Sequence, residues 1–361
     1  MWPDRRYLDL VGIEHPIVQA PMAGATSAAM AVAVSEAGGL GSLPCGMLSL
    51  DQARSELNII RQQTDRPVNV NFFCHTPPTP DEARERVWRA RLAPYHAELG
   101  LDPKAIGADA ERAPFDAARC DLMVEMKPRV VSFHFGLPEA RLIDRLKATG
   151  CIIQSSATTV AEAVWLEAHG ADAVIAQGIE AGAHRGMFLT DDLATQVGTL
   201  ALVPLIADAV GMPVIAAGGI GDARGIVATL ALGASAVQIG TGYLFCPEAK
   251  ISPIYRKALG AATEDGTVVT NVQSGRPARG IPNRIMREVG PMSADAPEFP
   301  LAARAVQPLR AKAEAQGSGD FSPNWAGQAA RLGREMGAGD LTKTLATDAL
   351  AAMRRLAGGS R

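Results

Sequence analysis

Residues 214–222 read Val214-Ile215-Ala216-Ala217-Gly218-Gly219-Ile220-Gly221-Asp222, and residues 231–241 read Ala231-Leu232-Gly233-Ala234-Ser235-Ala236-Val237-Gln238-Ile239-Gly240-Thr241. Each holds a short apolar run closed by glycine, the pattern of a strand buried on both faces that turns sharply at its C-terminal end. The motif Ala231-x-Gly233-Ala234-x-Ala236-Val237 also occurs 63 residues earlier, as Ala168-x-Gly170-Ala171-x-Ala173-Val174. Each copy reads as a helix end, a tight turn and the start of a buried strand. The spacing holds two βα units, so the second half of the chain is expected to repeat that unit.

Outward from this pair the same alternation continues. Candidate strands are Pro16–Ala20, Gly39–Leu43, Val68–Phe73, Val130–Phe133, Cys151–Ser155, Ala173–Gln177, Val214–Ala217 and Ala236–Gly240. Eight strands with helices between them predict an α/β fold, the (β/α)₈ TIM barrel. The second is the least apolar, because Gly39-Leu40-Gly41-Ser42 offers one large side chain. Thr159 and Glu162 fit a capping box, and Gly170 is placed to stop the helix they open. A helix over Asp81–Leu99 puts Trp88, Leu92, Tyr95 and Leu99 on one stripe, read as packing. Gly100–Ala118, with two prolines and several charges, reads as a surface excursion. Beyond Phe245 only helical pieces stand out, Leu301–Glu314 and Leu341–Leu356. Residues 1–247 are therefore expected to form the barrel and residues 248–361 an extension packed on its rim.

Composition limits the partners. The formal charge is −3 with 47% hydrophobic and 20% charged residues, so a core is affordable and a polyanion such as nucleic acid is disfavoured. Five scattered cysteines without a C-x-x-C pair argue against a disulfide framework or structural zinc. Trp2-Pro3-Asp4-Arg5-Arg6 is no apolar leader, and no long uninterrupted apolar run occurs, so a cytoplasmic protein without membrane partners is expected. Small molecules are the expected partners, and a homo-oligomer is left open.

In such a barrel the chemistry sits at the C-terminal ends of the strands. Gly218 and Gly219, and Gly240 with Thr241, follow the last two strands, where amide N–H groups and a helix N-terminus suit a phosphate. Glycines that merely allow tight packing are the plain alternative; two such turns together favour the phosphate. Ala20, Pro21 and Met22 offer a backbone-rich apolar surface for a flat ring. Asn71, Gln154, Gln177 and Gln238 end other strands and can hydrogen-bond the edge of that ring. The combination points to a flavin nucleotide. The loop Gly178–Gly186 brings Ala181, Gly182 and a titratable group, His184, beside the proposed ring, where it suits proton abstraction or anion stabilisation. His134 follows the fourth strand and either binds an anion or packs. His75 beside Cys74 lacks further ligands at metal spacing, so no metal is expected.

These residues resemble the nitronate monooxygenases, formerly called 2-nitropropane dioxygenases. The resemblance runs from Pro16 to Phe245 through Gln19-Ala20-Pro21-Met22-Ala23-Gly24, Asn71-Phe72-Phe73-Cys74-His75, Ser132-Phe133-His134-Phe135-Gly136, the run Ala176 to Gly186, and Ala217-Gly218-Gly219-Ile220. It implies FMN without a metal, and oxidation of alkyl nitronates by O₂ to carbonyl compounds and nitrite. It matches His184 to the family's catalytic histidine and His134 to a second active-site histidine of one class. Two departures stand out. Where the family commonly has Gly-Gly-His-Arg-Gly, this chain has Gly182-Ala183-His184-Arg185-Gly186, and its segment Glu298–Gln307 lacks the tyrosines and lysine of many bacterial members. Two other readings fit the same barrel: an NAD(P)H-dependent FMN reductase acting on enoyl thioesters or quinones, and a flavin-binding scaffold without catalysis.

Overall fold

A computed structural model describes residues 1–102 and 113–358. The strands are β1 (Ile17–Gln19), β2 (Gly41–Pro44), β3 (Val68–Phe73), β4 (Val130–His134), β5 (Ile152–Ala157), β6 (Ala173–Gln177), β7 (Ala183–His184), β8 (Val214–Ala217), β9 (Ala236–Ile239), β10 (Val268–Thr270) and β11 (Ala278–Gly280). Eight of them form one parallel sheet in the order β1-β9-β8-β6-β5-β4-β3-β2. A parallel bridge between Val18 and Leu40, with Gln19 N–H donating to the Leu40 carbonyl at 3.0 Å, joins the two ends. The sheet is thus a (β/α)₈ barrel, and each of the eight expected strands takes its place in it.

The weakly apolar β2 belongs there for a steric reason. A Cβ on Gly41 would fall 1.9 Å from the Ala31 carbonyl oxygen, so the helix Ala28–Glu36 lies against the strand at a distance only glycine permits. The predicted capping box at Thr159 is half made. Thr159 caps the Glu162 N–H at 3.2 Å, but the buried Glu162 carboxylate accepts from Thr158 N–H and Oγ1 and from the Phe188 and Leu189 amides. Four donors outbid the single amide of the cap.

The helix Glu82–Glu98 turns away from the barrel. Its stripe Trp88, Leu92 and Tyr95 packs with Val306, Leu309 and Phe321, and the Trp88 indole donates to the Ala302 carbonyl at 3.2 Å. Each large side chain buried this way contributes roughly 1.5–3 kcal/mol. The segment read as a surface excursion falls largely on residues 103–112, which lie outside the described residues. The C-terminal helix Ala338–Leu356 packs between the helices Ala28–Glu36 and Ala223–Ala231 and shares the core of the barrel helices, with the Tyr243 hydroxyl 2.7 Å from Thr342 Oγ1. Beyond the helices expected after Phe245, the hairpin β10–β11 adds β7 as a third antiparallel strand. This small sheet grips the histidine loop.

Candidate active site

The loop that leaves β6 is held by its backbone. Ala183 and His184 pair with Arg279 and Ala278 of β11. Ala183 adopts φ +61°, a left-handed conformation costing an L-residue roughly 1–2 kcal/mol, against roughly 0.5–1 kcal/mol of extra chain entropy for glycine. Ala183→Gly is therefore expected to raise the unfolding free energy by about 0.5–1 kcal/mol in a denaturant titration. A loss of stability would show that the loop carries no strain there.

The His184 carbonyl oxygen accepts two hydrogen bonds, from His134 Nε2 at 3.1 Å and from Gln177 Nε2 at 3.0 Å. Gln177 Oε1 accepts the Gly186 N–H at 2.8 Å, so both ends of its amide hold the loop. Because a carbonyl only accepts, the proton of His134 sits on Nε2. Its Nδ1 then accepts from the Ser156 hydroxyl at 2.6 Å. Burial, reinforced by the cations Arg276 and Arg185, pushes the His134 pKa down to about 3 from 6.5. Both His134 nitrogens are thus hydrogen-bonded within the protein, one of them to the main chain of the histidine loop.

This has a consequence for stability. The unfolded chain binds a proton at His134 below about 6.5 and the native one only near 3, so the group's contribution is present above 6.5 and is lost as the pH falls through that window. The slope is roughly 1.4 kcal/mol per pH unit. Urea titrations at pH 7.5 and 4.5 are expected to show a drop that is reduced in His134→Gln; an equal drop in both proteins would contradict the neutral assignment.

On its ring side, His184 meets Ser274, whose Oγ lies 2.9 Å from Nε2. Phe299, Trp325 and Phe135 wall the imidazole with centroids at 5.1, 5.5 and 6.1 Å. Phe135 itself stands at φ +73°, and the Arg276 guanidinium lies 4.1 Å from its ring centroid while donating to the Met187 carbonyl. Arg185 is fully buried and donates to the Gln177 carbonyl at 2.7 Å and to Gln196 Oε1 at 3.0 Å. Burial and the neighbouring Arg279 depress its pKa to about 9.

The two glycine turns lie beside this loop. Gly218 and Gly219 have φ +113° and +70°, and a Cβ on Gly218 would sit 3.0 Å from the Ala181 nitrogen and from Thr199 Oγ1. Asp222 then caps the helix Ala223–Ala231. Gly240 faces β1: its Cβ would be 3.5 Å from Ala20 Cβ and 3.8 Å from Met22 Sδ, with Pro21 between them in sequence. Thr241 Oγ1 accepts the Gly327 N–H at 2.9 Å, and a Cβ on Gly182 would meet the Gly327 nitrogen at 2.6 Å. The structure therefore gathers Ala20, Met22, Ala181, Gly182, Gly218, Gly219, Gly240 and Thr241 on one rim. Gln238, in β9, holds a buried Oε1 that has no hydrogen-bond partner among the described residues.

Like Gln177, two further amides are engaged within the protein. Asn71 Nδ2 is engaged by Ser132, at 2.9 Å to Oγ and 3.2 Å to the carbonyl. Gln154 lies deeper than the strand end, because β5 continues to Ala157; its Oε1 accepts from the Tyr7 hydroxyl at 2.8 Å, on the N-terminal helix Arg6–Val11. Ser274, Arg276, Trp325 and Gly327, all supplied by the extension, were not singled out in the sequence. None belongs to a recognisable motif, and only Trp325, as a rare aromatic, carried a signal. Among the described residues no cluster of three or more His, Cys, Asp or Glu is placed to hold a metal ion, and none of their helices is long and apolar enough to cross a membrane.

A barrel with two glycine turns at adjacent strand ends, facing a clamped histidine under aromatic walls, is the architecture of a (β/α)₈ enzyme with its chemistry on the C-terminal rim. The family model described as nitronate monooxygenase matches residues 5–348. The nitronate monooxygenase of Pseudomonas aeruginosa is 44% identical over 94% of this chain and 97% of its own, and that of Paraburkholderia phytofirmans is 44% identical over 94% of each. Among solved structures, a nitroalkane oxidase from Streptomyces ansochromogenes superposes with a TM-score of 0.88 at 38% identity, covering 97% of this chain and 99% of its own. FabK from Thermotoga maritima is more distant, with a TM-score of 0.74 at 30% identity and 98% coverage of both. The chain belongs to the nitronate monooxygenase family, whose members are flavin-dependent oxidoreductases.

Proposed function

We propose that this protein binds FMN on the rim formed by Gly218, Gly219, Gly240 and Thr241 and oxidises alkyl nitronates with O₂ to carbonyl compounds and nitrite, with His184 as the group that meets the substrate. The observation that carries the reading is the clamped His184 beside these turns. The residues present fit the cofactor. Left-handed Gly218 and Gly219 leave backbone amides for a phosphate, Gly240 leaves room beside Ala20 and Met22, and the unpartnered Gln238 Oε1 suits the N–H edge of a ring. FMN, when bound, supplies the oxidant for the substrate carbon and passes the electrons to O₂.

The protein's own part follows from charge. A nitronate is already a carbanion equivalent, so it needs a donor on its oxygens more than a base. His184, held by its main chain, donates to a nitronate oxygen only as the imidazolium, through Nδ1–H, and Arg185, Arg276 and Arg279 stand in the surrounding shell with Glu162, Glu180 and Asp191. Phe135, Phe299 and Trp325 wall the imidazole, and the water they exclude strengthens a charge-assisted hydrogen bond made there. A neutral nitroalkane would instead require unprotonated His184 as base. Oxygen uptake and nitrite release separate the two: a preformed nitronate is expected to be turned over faster than its parent nitroalkane at pH 7. Absence of nitrite with every nitronate tried, together with oxidation of NADH or NADPH, would replace the reading by a reductase.

A further inference from the structure

We infer that Ser274 is a positioning residue for the reaction, fixing the His184 imidazole in its Nε2–H form so that any proton it takes up goes to Nδ1; this rests on the role proposed above for His184. Ser274 is 2% exposed and its Oγ touches two groups, His184 Nε2 at 2.9 Å and the Arg276 carbonyl at 3.4 Å. The hydroxyl has one proton. A carbonyl can only accept, so when that proton is directed to Arg276 the oxygen lone pair faces His184 and receives Nε2–H. The same arrangement accepts from the imidazolium, so it serves both protonation states of the ring.

Ser274 can impose this choice because its turn is rigid. Asn271, at the start of the turn between β10 and β11, exchanges two hydrogen bonds with Ser293, both at 2.9 Å, and its carbonyl accepts the Gly275 N–H at 2.7 Å. Gly275 stands at φ +91°, where a Cβ would lie 2.0 Å from the Pro297 carbonyl oxygen, so the turn is pressed onto the segment that carries Phe299. Val272 within it is fully buried. β11 then runs from the turn into its pairing with β7, so the main chain of His184 and the partner of its ring are set by one hairpin. A site whose orienting group is itself locked holds its geometry tightly enough to affect rate.

The test uses the flavin-loaded enzyme with ¹⁵N-labelled histidine, the His184 signals being identified as those missing from His184→Ala. Wild type is expected to show the Nε2–H tautomer. Ser274→Ala is expected to lose that preference and to lower kcat about tenfold with KM within twofold, and Ser274→Thr, which keeps the hydroxyl, to restore both. Ser274→Cys keeps the volume but hydrogen-bonds weakly, and is expected to resemble alanine should that variant fold poorly. An unchanged tautomer signature in Ser274→Ala, with or without a fall in kcat, overturns the inference. If His184→Ala itself turns over nitronate at the wild-type rate, the proposed role of His184 falls instead.

Discussion

Gly218→Ala is expected to yield a folded barrel that has lost its yellow colour, with flavin bound at least 100-fold more weakly than in wild type. At φ +113° an alanine is strained by about 1–3 kcal/mol, and its Cβ would press at 3.0 Å on the Ala181 nitrogen and Thr199 Oγ1 and at 3.1 Å on the Gly178 carbonyl oxygen. None of these can retreat cheaply. Thr199 is tied to both carboxylate oxygens of Glu180, and Ala181 N–H to the Gly178 carbonyl at 3.1 Å. The turn must therefore rotate its amides away from the direction a phosphate requires. A 100-fold loss corresponds to about 2.8 kcal/mol, the scale of two well-made charge-assisted hydrogen bonds. Fluorescence titration of the stripped protein with FMN measures it, and circular dichroism confirms that the barrel persists. A variant that purifies with full flavin would move the phosphate site elsewhere.

His184→Ala is expected to keep its flavin and to lose 10²- to 10⁴-fold in kcat/KM, the range of a positioned acid–base or anion-stabilising group. The substitution removes the ring but leaves the main chain, so the carbonyl clamp from His134 and Gln177 and the pairing with β11 survive. That separates chemistry from architecture. Steady-state oxygen uptake with a nitronate checks the loss and the absorption spectrum checks the flavin. Activity within threefold of wild type would leave the loop with a purely structural purpose.

Most of the fold was legible because each barrel strand is a short apolar run bounded by glycine or a helix cap. Even β2 fits once Gly41 is read as a close contact with the Ala31 carbonyl. The small sheet was not legible. β7 has two residues and β10 and β11 three each, too short for any periodicity, and their pairing joins residues nearly a hundred positions apart. For the same reason Ser274 could not be found from the sequence: one serine in a glycine-containing turn carries no information until its partner is 2.9 Å away. The amides were legible as polar residues inside a barrel but not by depth. Gln154 lies mid-strand because β5 runs two residues beyond its expected end, while Gln177 ends β6 as expected and turns its amide to the loop. His134 was read as an active-site residue without a settled role. Its two hydrogen bonds join Ser156 to the His184 carbonyl beneath the loop, a placement the sequence could not give.

The most direct test of the central claim is anaerobic mixing of the purified yellow protein, in separate experiments, with a preformed alkyl nitronate and with NADH or NADPH, followed at the flavin absorption bands. The account predicts that the nitronate alone bleaches the flavin, and that admitting O₂ restores the colour with release of nitrite. Bleaching by NADH or NADPH, with the nitronate inert, would contradict it.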